Sequence, residues 1–180
     1  MIQKCLLLVS ICCLTIGSTS FAQTEKGSLM VGGGFSLMYV NDVLDVTLQP
    51  EAGIFVADNF AVGAGVLLRE LIVFGGANQT GFTAGPFFRY YFGDGKFRPF
   101  LNTSVTGGLS VVSNSDEKYK VVNWSAGPGV SIFLTKSVSL DLMLRYLGEW
   151  YKYTSPFWGD YTPDVNHALL FSVGFQVFFQ

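Results

Sequence analysis

Seven ionisable side chains fall on one face of the chain's alternating segments: Asp45, Glu51, Arg69, Arg89, Arg98, Asp141 and Arg145. Carboxylates and guanidiniums gathered in this way pair before they do anything else. A charge removed from water and left alone carries a penalty of several kcal/mol, so a shared interior face demands mutual neutralisation. The expected arrangement is an internal salt-bridge network, with Asp141 or Glu51 neutralising Arg89 and Arg98 across a tight turn. A gated ion path through the same charges is the functional alternative. His167, the sole histidine, is the other candidate for proton chemistry. A hydrolase or acyltransferase acting on lipid would need a nucleophile and an orienting acid beside it. Asp164 is three residues away, while Ser172 lies on the opposite face by parity. With no nucleophile motif and no second histidine, a hydrogen bond at a rim is the expected role, and the chain reads as a non-enzyme. The segment 151–165 concentrates Tyr151, Tyr153, Phe157, Trp158 and Tyr161 with Asp160 and Asp164. Aromatic groups on a loop can hold a protein or glycan partner, and they can equally pack on one another. Gly32-Gly33-Gly34 lacks the Lys-Ser/Thr ending of a phosphate loop, so no cofactor is expected. The sequence has no metal-ligand cluster, and no Lys/Arg block that would suit nucleic acid.

The elements that must carry these residues are strands. Period-two alternation runs over 28–40, 43–56, 60–74, 82–92, 97–110, 119–134, 138–150 and 166–179, which is eight segments. One face of each is uncharged. It includes Leu29, Val31, Phe35 and Leu37 in the first, Phe82, Phe88 and Tyr90 in the fourth, and Leu169, Phe171, Val173 and Phe175 in the last. The opposite face carries the seven charges with Thr47, Gln49, Asn102, Asn123, Ser131 and Gln176, and many glycines, among them Gly53, Gly63, Gly85, Gly127 and Gly129. In a narrow barrel, glycine on the inner face makes room for a bulky neighbour.

Composition decides which face meets solvent. Of 180 residues, 49% are hydrophobic and only 13% charged, about half the usual soluble share. Beyond the N-terminal segment no apolar run is long enough for a helical membrane span. A soluble barrel would bury the apolar face and expose a glycine-rich, poorly solvated one. A membrane barrel turns the apolar face to lipid and fills its core with the polar one. Unpaired backbone in lipid is prohibitive, so the sheet must close. The expected fold is all-β: an eight-stranded antiparallel up-and-down transmembrane β-barrel. Connections at 57–59, 93–96 and 135–137 are short, and those at 75–81, 111–118 and 151–165 longer, as periplasmic turns and external loops are. Aromatic girdles are expected at both rims, with Phe55, Phe60, Tyr91, Phe92, Phe97, Phe133 and Phe179 at the turn end. Tyr39, Phe74, Phe82, Trp124, Trp150 and Tyr151 mark the loop end. Pro50, Pro86, Pro99 and Pro128 fall inside strands, where each removes a ladder donor.

The N-terminus reads as a processing segment. Lys4 precedes an apolar core from Cys5 to Ile16, and Ser20-Phe21-Ala22 suits signal cleavage between Ala22 and Gln23. Residues 1–22 are thus expected as a signal peptide and 23–180 as the barrel domain. All three cysteines, Cys5, Cys12 and Cys13, lie in the leader, so the mature chain needs no disulfide in an oxidising compartment.

Several stretches resemble the small outer-membrane β-barrel family, the OmpA/OmpX-like barrels of porin-family proteins, and especially the Bacteroidetes type. They are Gln49-Pro50-Glu51-Ala52-Gly53-Ile54-Phe55-Val56-Ala57-Asp58-Asn59-Phe60, Gly85-Pro86-Phe87-Phe88-Arg89-Tyr90-Tyr91-Phe92, Arg98-Pro99-Phe100, Gly127-Pro128-Gly129-Val130 and the closing strand to Phe179. The resemblance implies a Gram-negative outer membrane location, lipid and lipopolysaccharide as surroundings, and delivery by the outer-membrane assembly machinery. It also makes the in-strand prolines a family habit. The family's terminal aromatic is displaced here, since Phe179 is followed by Gln180. The expected role is structural or surface-interacting, with the interior plugged by charge. A small pore or transport barrel is the second reading and a lipid-modifying enzyme the third.

Overall fold

The computed structural model describes residues 24–113, 118–155, 159–160 and 164–180. Residues 1–23, with the expected signal cleavage between Ala22 and Gln23, lie outside the described residues. Among the described residues there are nine strands: β1 (Leu29–Val40), β2 (Val43–Ala57), β3 (Phe60–Val73), β4 (Gln79–Tyr91), β5 (Phe97–Val112), β6 (Lys118–Phe133), β7 (Val138–Ser155), β8 (Gly159–Asp160) and β9 (Asp164–Phe179). Each of β1 to β7 pairs antiparallel with its sequence neighbour, β7 pairs with β9, and β9 returns to β1. The eight long strands close into an up-and-down barrel, and β8 is a short piece pairing with the far end of β7. Closure is what strands of this pattern require. With an apolar outer face and polar inner face, an open edge would leave a row of unpaired amides with no water to serve them.

The side chains alternate as the period dictates. Phe35, Leu48, Phe88, Leu101, Leu144, Phe171 and Phe175 are exposed on the outer wall. Arg89 and Arg145 are each only 4% exposed, inside the lumen. The wall is therefore greasy outside and ionic inside, the inverse of a soluble barrel.

The strands run further than the alternation suggested. β4 begins at Gln79, β5 reaches Val112, β7 continues to Ser155 and β9 begins at Asp164. Much of the expected loops 75–81, 111–118 and 151–165 is thus ladder. Strand pairing needs backbone amides and not apolar side chains, so it continues where alternation fades. Thr80, opposite Glu70, also donates its hydroxyl to the Glu70 carboxylate at 2.7 Å. The contrast in connection length shrinks accordingly. At the loop end 74–78 and 113–117 remain, against 92–96 and 134–137 at the turn end. The tightest loop-end turn has Asn41 at φ +49° and Asp42 at φ +61°, two left-handed residues that match the twist of a two-residue hairpin.

The prolines also find a physical place. The β2–β3 ladder skips from Leu48–Leu68 to Glu51–Gly65 at Pro50. The β4–β5 ladder skips from Ala84–Gly107 to Phe87–Ser104 at Pro86, and β6–β7 from Ala126–Tyr146 to Gly129–Met143 at Pro128. Each proline stays in register with the preceding strand and interrupts pairing only with the following one, the side on which its missing N–H would have donated. Pro99 sits where β5 leaves β4, and its carbonyl accepts from the Phe92 amide at 2.8 Å.

Candidate functional site

The lumen is built from inward side chains of strands that are not neighbours in sequence. At its centre is Arg89, on β4. Its Nη2 donates to Glu51 of β2 at 2.6 Å, its Nη1 to Asp141 of β7 at 2.9 Å, and its Nε to Asn102 of β5 at 3.0 Å. Nη1 also reaches the Tyr91 hydroxyl at 3.3 Å. The carboxylates are themselves held. Asp141 accepts from Ser131 at 2.6 Å and Ser139 at 2.8 Å, and Glu51 from the Gln176 amide at 2.7 Å. The guanidinium lies 4.6 Å from the Phe100 ring centroid, a cation–π contact on the side facing the turns. One arginine thus holds two carboxylates from opposite walls, and every group is buried.

A second cluster lies nearer the loop end. Arg69 of β3 gives its Nε and Nη2 to Asp45 at 2.9 and 2.5 Å, and its Nη1 to Glu149 of β7. Thr47 donates to the other oxygen of Asp45 at 3.1 Å. Glu149 was absent from the expected set, although parity with Asp141 and Arg145 places it inside. The segment around it read as a strand end, and that obscured the signal.

Two of the seven expected charges stand apart from the ion pairs. Arg145 lies within the lumen but donates to the Gln49 side-chain carbonyl, with no carboxylate in salt-bridge range among the described residues. Arg98 does not face Arg89 across the turn, because β4 and β5 pair Arg89 with Asn102. Its guanidinium instead caps the turn end. It donates to Thr24 Oγ1 at 2.8 Å and to the carbonyls of Gly95 at 3.1 Å and Asp94 at 3.2 Å, and stacks 4.4 Å over the Phe133 ring. The segment before β1 crosses this mouth, with the Asn59 amide donating to the Thr24 carbonyl at 2.7 Å.

Between Arg98 and the Arg89 cluster lies a layer of buried aromatic and thioether side chains. Phe55, Phe87, Tyr91, Phe100, Phe133 and Phe178 pack there with Met30 and Met143. Ring centroids are 5.2 Å apart for Phe133–Phe178 and 5.6 Å for Tyr91–Phe100. This corrects the turn-end girdle, since Phe55, Tyr91 and Phe133 point inward. Phe92 and Phe97 remain exposed outside, and Tyr39, Phe74, Phe82 and Trp124 face outward at the loop end. Strict parity with Arg89 and Arg98 would have placed Phe87, Tyr91 and Phe100 in the lumen, but an aromatic near a strand end suggests an interface first.

The inner-face glycines seat these rings. A Cβ at Gly129 would lie 2.3 Å from the Phe100 ring, and at Gly63 2.6 Å from Phe87. Gly129→Ala is expected to lower unfolding stability by about 1–3 kcal/mol, the range for an overfilled core. Urea titration of the refolded barrel measures it. Phe100→Leu in the same chain should recover part of the loss, and no recovery would mean the ring is not what the glycine accommodates.

Little space remains along the axis. The void beside Arg89, Arg145 and Gln176 is about 20 Å³, and that beside Arg69, Glu149 and Asn123 is again about 20 Å³. Each holds about one water. At the opposite rim His167 is exposed on the outer wall, where Nδ1 meets the Tyr146 hydroxyl at 2.9 Å and the two rings stack at 5.6 Å. Trp124 completes the group 5.4 Å from Tyr146. Of the expected loop aromatics, Tyr151 and Tyr153 have their backbones in β7, opposite Val121 and Tyr119. Phe157, Trp158 and Tyr161 lie outside the described residues.

Two solved structures share the fold. Neisserial surface protein A superposes with a TM-score of 0.61 at 15% identity, over 83% of this chain and 95% of that chain. The N-terminal β-barrel domain of Pseudomonas aeruginosa OprF gives 0.51 at 15% identity, over 86% and 98%. Both are small outer-membrane barrels of eight strands, as the sequence resemblance implied. No family model matches the chain, and no curated protein matches it in sequence.

Proposed function

We propose that this chain is exported to a bacterial outer membrane, where it spans the bilayer as a barrel sealed along its axis. In this reading it is a structural or surface-interacting protein and not an enzyme. The observation that carries the reading is the inverted wall: outward Phe, Leu and Val around the barrel, with Arg89, Glu51 and Asp141 buried at its centre. Only hydrocarbon solvates the first surface well, and a closed interior demands the second to be paired. Fractionation tests it. The protein should partition with the outer membrane and run faster on a gel before heating than after. Recovery in the soluble periplasm would overturn it.

The axial seal rests on the Arg89 cluster, the aromatic layer and the Arg98 cap, three successive barriers in a lumen with water-sized voids. Planar bilayers containing the purified barrel should therefore show no steady conductance. Sustained single-channel steps would replace the sealed barrel with a small pore. The surrounding partners are lipid and lipopolysaccharide, and the assembly machinery would engage the closing strand that ends at Phe179. A surface protein or glycan is the partner that the aromatic segment 151–165 would take. His167 spends its ring nitrogen on a phenol, which supports a rim hydrogen bond over lipid chemistry.

A further inference from the structure

The two charge clusters of the lumen differ in their sums. In the central one Arg89, Arg145, Glu51 and Asp141 border a single void and add to zero. In the loop-end one Arg69 holds both Asp45 and Glu149, so the three groups together carry one negative charge. All three lie in the lumen, with Asp45 and Glu149 buried. A net charge kept from water is costly unless something of opposite sign stands beside it.

An independent observation falls at the same place. Asn123 is 4% exposed and borders the void of about 20 Å³ next to Arg69 and Glu149. Its Nδ2 donates to the Thr83 hydroxyl at 3.3 Å, while its Oδ1 is buried and accepts from no donor. A buried amide oxygen in that state calls for a water or an ion. The polar groups around it offer lone pairs more than protons. Ser110 takes a hydrogen bond from Gln79 Nε2 at 2.8 Å and spends its own proton on the Thr80 carbonyl at 3.2 Å. The Thr83 hydroxyl is shared with Thr106 at 2.9 Å. Each Arg69 nitrogen bonds a carboxylate.

We propose that this void is a binding site for one dehydrated alkali cation, sodium or potassium, held by Asn123 Oδ1, the Glu149 carboxylate and the Ser110 hydroxyl oxygen. One positive charge brings the cluster to zero, and a divalent ion would overshoot by as much. Among the described residues no three His, Cys, Asp or Glu side chains gather as a metal site. Amide and hydroxyl oxygens with a carboxylate suit a hard cation and not a thiophilic one. The void has room for about one water, which is also the scale of a bare alkali ion. Access is from the loop end. The void shares Arg69, Leu71, Gln79 and Glu149 with an open chamber of about 460 Å³ at that mouth. Below, the Arg89 cluster and the aromatic layer block the axis, so the site binds an ion without conducting it. The inference needs only the geometry of the barrel and stands apart from the outer-membrane reading.

The test is urea unfolding of the protein refolded into lipid vesicles, with sodium or potassium chloride replacing choline chloride at constant ionic strength. Choline is too large for the void. The folded-to-unfolded ratio should rise about tenfold for each tenfold increase of the ion above its Kd. The stronger of the two responses identifies the ion. Glu149→Gln and Asn123→Leu should each flatten the response, with heat-modifiable mobility reporting that each variant has folded. Crystals of the unaltered protein grown with thallium(I) should give an anomalous peak beside Asn123 Oδ1, a readout that needs no variant. Equal stability in alkali and choline overturns the site, as does an alkali response that survives in both variants. A gain on acidification that ignores the cation would assign the balancing charge to a bound proton instead. A thallium peak with no alkali effect on unfolding would be binding at crystal concentration only, and it too overturns the proposal.

Discussion

Replacing Arg89 with methionine is expected to destabilise the barrel by about 3–5 kcal/mol, the scale for removing one partner of a buried ion pair. The reason is geometric. Arg89 is the only guanidinium in salt-bridge contact with Glu51 and Asp141 among the described residues, at 2.6 and 2.9 Å. Without it two carboxylates stay in a lumen with little room for water. The adjacent Arg145 is committed to Gln49. Urea unfolding of the protein refolded into lipid vesicles measures the change. Adding Glu51→Gln and Asp141→Asn to Arg89→Met should recover most of the loss, because neutral side chains of similar volume remove the unpaired charge. A loss below about 1 kcal/mol for Arg89→Met alone would mean that water reaches these carboxylates. The lumen would then be wet and the axial seal wrong.

The second large effect concerns the opposite face. Leu144 is 45% exposed on the outer wall of β7, about midway between the turn at 134–137 and the loop-end aromatics. Leu144→Arg should lower stability in bilayers by about 2–4 kcal/mol, the cost of a guanidinium near the midplane of a lipid-facing wall. The same exchange at Tyr39, beside the interface, should change it by about 0–1 kcal/mol. Depth dependence is the point of the comparison. An exposed leucine on a soluble barrel would tolerate arginine within about 0.5 kcal/mol wherever it sat. Equal, small effects at both positions would therefore remove the membrane reading, and a gradient would support it.

Much of this molecule is legible in its sequence because the relevant physics is local. Side-chain direction in a strand is fixed by a two-residue repeat, so Phe35, Leu144 and Phe175 were assigned to one face and Glu51, Arg89 and Asp141 to the other without knowing any contact. The signal failed where two local rules compete. Phe55, Tyr91 and Phe133 obey the parity of the inner face, but their places near strand ends suggested a membrane girdle. Packing decided the matter: rings from β2, β4, β5, β6 and β9 meet in one buried layer, and no single strand contains that information. Loop lengths failed for a related reason, since ladders persist through polar residues such as Gln79 and Thr80.

The sequence by itself determined the strand count, the sign of each face and the need for closure, because alternation and composition are properties of neighbouring residues. Only the tertiary structure decided which charges meet. Arg69 reaches Glu149 and Arg89 reaches Glu51 across a lumen whose width and stagger follow from how the ring closes. It alone turned Arg98 away from the cluster to the Thr24 cap, and it alone left β1 and β9 unpaired beyond Phe35 and Val173. Register between the first and last strands depends on the summed stagger of all eight, and no local pattern encodes that sum.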